Sequence, residues 1–184
     1  MTKTAAVIFA ILICPGVARA QGADKSISQV LDSDVTSIEG ELVPAAEAMP
    51  EDKFGYMPTG GEFKNVRSFA AQIKHVAAVN YMVGAAILGE KPPVDTAGES
   101  GPASMTSKAD IVSFVKQSYA YAHKAVATIT SANATQPVKS PFGDNQTTRL
   151  GLANAFAWHG FDHYGQMAIY LRSNGIVPPA SRGQ

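Results

Sequence analysis

Four stretches in which apolar residues recur at steps of three and four, each opened by a start signal and closed by a breaker, constrain this chain more than any other feature. Ser26 with Gln29 reads as a capping box, in which each side chain satisfies a helix-end N–H group of the other residue. It opens a helix through Val30, Val35, Ile38 and Leu42 towards Ala48. The segment from Met49 to Gly61 holds Pro50, Gly55, Pro58, Gly60 and Gly61 and breaks that helix, leaving Phe54 and Tyr56 to fold back on the other helices. Ser68 is the N-cap expected for the second helix, with a start nearer Glu62 as the alternative, and its stripe of Ile73, Val76, Val83 and Ile87 stops at Gly89. Residues 90–105, rich in Pro, Gly, Ser and Ala, form a surface crossover that could rim a site.

Ser107 with Asp110 caps the third helix, whose stripe is Ile111, Val115, Ser118, Ala122, Val126 and Ile129, closed by the polar run Ser131 to Pro137. A second loop, Val138 to Asn145, leads to a fourth helix that stops at Asn174-Gly175 ahead of Pro178-Pro179. Helices of roughly 20 to 30 residues around one core predict an all-α four-helix bundle. No strand pattern of comparable strength and no internal repeat competes with it.

Residues 1–20 read as a signal peptide: Lys3 starts a charged region, Ala5 to Cys14 is an apolar run, and Ala18-Arg19-Ala20 offers small residues for cleavage before Gln21. The expected product is a single exported domain, residues 21–184, periplasmic or secreted. The apolar run is shorter than the roughly 20 residues of a membrane span, and no second one follows. Cys14 is the sole cysteine, so the mature part has no disulfide, thiolate nucleophile or cysteine metal site. Losing Lys3 and Arg19 leaves the remainder slightly acidic, with no basic stripe for nucleic acid. A hydrophobic fraction of 46% with 16% charged residues is that of an ordinary globular protein.

The fourth helix carries the chemistry. Leu152, Phe156, His159, His163, Met167 and Tyr170 share one stripe, so two imidazoles four residues apart face the core together. Two readings fit: core histidines satisfied by hydroxyls or carbonyls, or a shared metal ion that accepts both ring nitrogens. His75, on the border of the second helix's apolar face, is the candidate third ligand, or else a boundary histidine facing solvent. His123 falls on the flank of the third helix and is expected not to ligate. Gln166, one turn past His163, is a candidate to hydrogen-bond a ligand ring or a metal-bound water, and Tyr119, Tyr121 and Tyr164 are packing groups whose hydroxyls are candidates to donate to a bound substrate. Asp162 is expected to face away from the histidine pair.

Ser68-Phe69-Ala70-Ala71-Gln72-Ile73-Lys74-His75, followed by Asn80-Tyr81, Trp158-His159, His163-Tyr164-Gly165-Gln166 and the run from Tyr170 to Pro179, resembles the DinB family of bacterial metalloenzyme-like proteins. The likeness extends over essentially the whole mature chain. It implies an up-down-down-up bundle with a long crossover between helices 2 and 3, and, residue by residue, His75, His159 and His163 as ligands of one divalent metal ion. Zinc or nickel is the first expectation, with iron, manganese and copper also compatible with nitrogen donors. Three neutral imidazoles leave positions open to water or substrate, as in catalytic more than structural sites. Some members of the resembling superfamily transfer or isomerise substrates with a low-molecular-weight thiol, so a thiol-dependent S-transferase is the first functional expectation. A metal-assisted hydrolase acting on a small molecule is the second. The third is a non-catalytic metal-binding or structural bundle, including one that pairs as a homodimer.

Overall fold

The computed structural model describes residues 24–183, so the expected signal peptide and its cleavage point lie outside the described residues. Four long helices are joined by loops, a one-turn helix and a small hairpin: α1 Ile27–Ala48, α2 Phe69–Leu88, α3 Lys108–Val126, β1 Pro137–Lys139, β2 Gln146–Thr148, α4 Arg149–Ala153 and α5 Ala155–Ser173. Two short 3-10 turns, Glu51–Lys53 and Pro179–Ser181, complete the order.

The local start signals act as the sequence predicts. The Ser26–Gln29 capping box forms in both directions, and Ser68 and Ser107 each accept a hydrogen bond from the backbone N–H three residues on. Gly89 closes α2 at φ 72, a left-handed conformation that a side chain would oppose. The loop after α1 also serves α2, because the carbonyls of Tyr56 and Phe54 accept from Phe69 N–H at 2.9 Å and Ala70 N–H at 2.8 Å. These bonds satisfy donors that a helix start leaves open.

Side-chain pairings give the helix directions. Asn80 meets Ser118, while Glu90, just past α2, meets Tyr121 and Lys124 near the end of α3, so these two helices run parallel. Glu47 pairs with Lys116 and Asp32 with His123, which makes α1 antiparallel to α3. Gln72 reaches His163 and Gln166, and Arg67 reaches Tyr170, so α2 and α5 are antiparallel. The result is up-down-down-up, with α1 and α2 on one diagonal and α3 and α5 on the other. The parallel α2–α3 pair requires the crossover of residues 89–107 to travel back along the bundle. It is anchored there where Lys74 donates to the carbonyl of Met105 at 3.3 Å. The core is filled from all four long helices, by Ile38, Leu42, Phe69, Ile73, Val76, Ile111, Val115, Phe156, Met167 and Leu171. Among the described residues no helix is long and apolar enough to cross a membrane.

Several expectations are corrected. Val30 is exposed and Leu31 takes its place in the α1 stripe. Helix α3 ends at Val126, so Ile129 is buried from the following turn and not from the helix. The expected second loop closes as the β1–β2 hairpin, with Val138 opposite Thr147. The fourth helix is broken at Asn154, which places Leu152 in α4, capped by Thr148, and the histidine pair in α5. Three-residue strands and a single-turn helix are too short to leave a readable period.

Candidate metal centre

His75 comes from α2, and His159 and His163 from successive turns of α5, across the antiparallel interface. One ligand nitrogen from each lies within 4.8 Å of the others, and among the described residues no other group of three or more histidine, cysteine or acidic side chains converges this way. His75 and His163 are buried, while His159 is half-buried. His75 and His159 face each other through their Nε2 atoms, 3.1 Å apart. Two zinc–nitrogen bonds of about 2.0–2.1 Å at a tetrahedral angle would put their nitrogens about 3.4 Å apart, so the spacing suits ligands of one ion.

Hydrogen bonds behind the rings of His75 and His163 fix which nitrogen each of these two presents. The Nδ1–H of His75 donates to the backbone carbonyl of Glu99 at 2.7 Å, and since a carbonyl can only accept, the Nε2 of neutral His75 carries a bare lone pair. For His163 the constraint passes through three side chains. The carboxylate of Asp162 accepts from Gln166 Nε2 at 3.1 Å, and Gln166 Oε1 accepts from Gln72 Nε2 at 2.8 Å. Gln72 Oε1 is thereby left to accept from His163 Nδ1–H, and His163 Nε2 is freed for the site. His159 Nδ1 is buried without a protein partner.

All three imidazoles are held neutral at pH 7, as ligation requires. Burial first, then the charges of His163, His75 and Arg67, hold His159 down to about 3. Burial first, then His75, brings His163 down to about 4 against the opposing charge of Asp162. Burial also lowers His75, although its bond to the Glu99 carbonyl works the other way.

The three rings open on a cavity of about 420 Å³. Val79 and Ala155 give it apolar walls, and two exposed aromatic rings reach it, Trp158 from α5 and Phe142 from the hairpin turn. Its polar lining comes from Arg67, Glu99, Asp162 and Gln166. A second cavity, of about 700 Å³, lies between the end of α2 and the hairpin and contains no histidine.

The structure brings together His75, His159, His163 and Gln166, with Gln166 reaching His163 through Gln72. Tyr164 does not line the cavity; it lies 100° past His163 on the helix, within electrostatic reach of Glu41 on α1. Asp162 is the correction. Three residues from His159 amounts to 60° on the helical wheel, so Asp162 shares the cavity face that it was expected to avoid. His123 stays outside the site, bonded through Nδ1 to Asp32 at 2.6 Å and through Nε2 to Glu39 at 3.1 Å. Tyr119 is buried in the core, and Tyr121 donates to Glu90 at 2.7 Å, so neither reaches the cavity. Sequence reasoning missed Gln72, Arg67 and Phe142, for which a polar Gln72 amid the apolar positions of α2 was the one available signal, and it expected the crossover to rim a site without singling out the Glu99 carbonyl.

An up-down-down-up helical bundle with three histidines converging beside a cavity defines a class of helical bundle whose facing helices bring together side chains that could hold a metal ion. The sequence places it within that class: residues 37–167 match the DinB superfamily, and the chain belongs to it. No curated protein matches the chain.

Proposed function

We propose that this protein binds one divalent metal ion, zinc or nickel, through His75, His159 and His163, and acts with it as an enzyme on a small molecule held in the adjacent cavity. The observation that carries the reading is the facing pair of Nε2 atoms of His75 and His159 beside a His163 whose Nδ1–H is already donated. A bound metal would supply Lewis acidity, polarising a substrate oxygen or favouring a thiolate over its thiol. The chain's own groups do the rest: Trp158 and Phe142 put apolar surface at the cavity, and the three histidines stay neutral.

The first reaction class is thiol-dependent transfer, in keeping with the superfamily resemblance. Asp162 gives the hydrolase a specific observation in its favour, since a carboxylate at the cavity is available as a proton acceptor. Turnover only with added thiol supports transfer, and turnover without it supports hydrolysis. Export, directed by residues 1–20, belongs to the same proposal. So does pairing of two copies through the exposed Phe161 and Ile169 of α5. Elemental analysis after chelation and reloading tests the metal: about one ion per chain is expected for a single three-histidine site, and none under any loading condition refutes the reading.

A further inference from the structure

Arg67 is exposed and lines the same cavity as the three histidines, and its charge reaches all of them. Among the described residues its guanidinium forms no ion pair, although Glu99 and Asp162 line the same space. Its backbone is held in place: Tyr170 donates to the Arg67 carbonyl at 3.0 Å, and the next residue, Ser68, caps α2. A fixed base carrying an uncommitted fork of donors at the mouth of an apolar-walled pocket is an arrangement for recognising an anion. The two carboxylates disfavour a doubly charged phosphate more than a singly charged group. Trp158 and Phe142, 62% and 41% exposed at the cavity, offer faces that need an apolar or aromatic body to cover them.

We infer that Arg67 is the substrate-anchoring residue of this cavity and that the substrate is a small organic monoanion, a carboxylate on an apolar or aromatic body. This rests on the cavity being the substrate site. Arg67 clasps the carboxylate, the two rings hold the body, and the reacting end of the molecule lies toward the histidines.

Trp158 is the chain's one tryptophan, so its fluorescence reports occupancy of this cavity. The purified protein, metal-free and cobalt-loaded, is titrated with 3-phenylpropionate and with neutral 3-phenylpropan-1-ol, and cobalt binding is followed separately by its visible absorption. The acid is expected to bind about tenfold tighter than the alcohol in both forms, the scale of one charge-assisted contact. Arg67→Gln removes that preference without changing the alcohol, and Arg67→Lys restores part of it. Equal binding of acid and alcohol overturns the inference, as does a preference that survives Arg67→Gln. A preference seen only in the cobalt form and indifferent to Arg67 overturns it too, because the metal would then hold the carboxylate. An Arg67-dependent preference in a protein that binds no cobalt supports the anion site while refuting the metal reading.

Discussion

Replacing Gln72 with methionine tests the three-side-chain relay that sets the His163 tautomer. The change keeps side-chain length and approximate volume, which suits a residue that is only 1% exposed, and removes both the acceptor for His163 Nδ1–H and the donor to Gln166. Gln166 is exposed and can turn to water at little cost. The buried Nδ1–H of His163 cannot. A metal-bound ring must keep its proton on Nδ1, and an unpartnered buried donor costs about 1–3 kcal/mol. The metal-free protein escapes that cost by moving the proton to Nε2, where it faces the cavity. The penalty therefore falls on metal affinity more than on folding, and each 1.4 kcal/mol is about tenfold, so the loss should be roughly 5- to 150-fold. Competition against a chromophoric zinc chelator measures it, with thermal unfolding of the metal-free variant as the check on folding. Gln72→Glu, which retains an acceptor at the same place, should lose less. A Gln72→Met protein that folds normally and binds zinc within about twofold of the unmodified chain, against the expected loss, would show that the relay does not set the ligand.

His159→Ala should lower zinc affinity sharply and His123→Ala should leave it nearly unchanged; equal losses in the same chelator competition would remove the ligand assignment. Gly160 lets α5 approach α1, since a Cβ there would sit 2.5 Å from Ile38 Cγ1. Gly160→Ala is accordingly expected to destabilise by about 1–3 kcal/mol, which calorimetry would show as a drop in Tm of about 2–4 °C per kcal/mol, and an unchanged Tm would contradict the close packing. Burial opposes a charge on His123, but its bonds to Asp32 and Glu39 and their charges outweigh that and raise its pKa above 6.5. Its contribution is then complete below about pH 6.5 and fades as pH rises through the raised value, a loss on the order of 0.5–1 kcal/mol for a largely surface pair. Urea unfolding across that range should show the decline in the unmodified protein and a flatter profile in His123→Gln.

Legibility followed distance along the chain. The caps at Ser26, Ser68 and Ser107 and the stop at Gly89 are bonds between residues three to five apart, so residue type alone announces them. The stripes of α1, α2 and α3 and the i, i+4 histidines of α5 are equally local, because a helix converts spacing into a shared face. The break at Asn154 and the hairpin left no signal, being a helix-compatible position and two strands of three residues.

The sequence by itself determined that four amphipathic helices form, where most of them end, and that two imidazoles point the same way. Only the tertiary structure decided what those imidazoles meet. Gln72 and Gln166 are 94 positions apart, His75 and His159 84, and His75 and the Glu99 carbonyl 24, the last joined by a crossover with no periodicity of its own. Whether such groups touch depends on how α2 and α5 are rotated and slid against each other. That register is set by how well Phe69, Ile73, Val76, Phe156 and Met167 fill one close-packed core, a property of all the side chains together that no single spacing encodes.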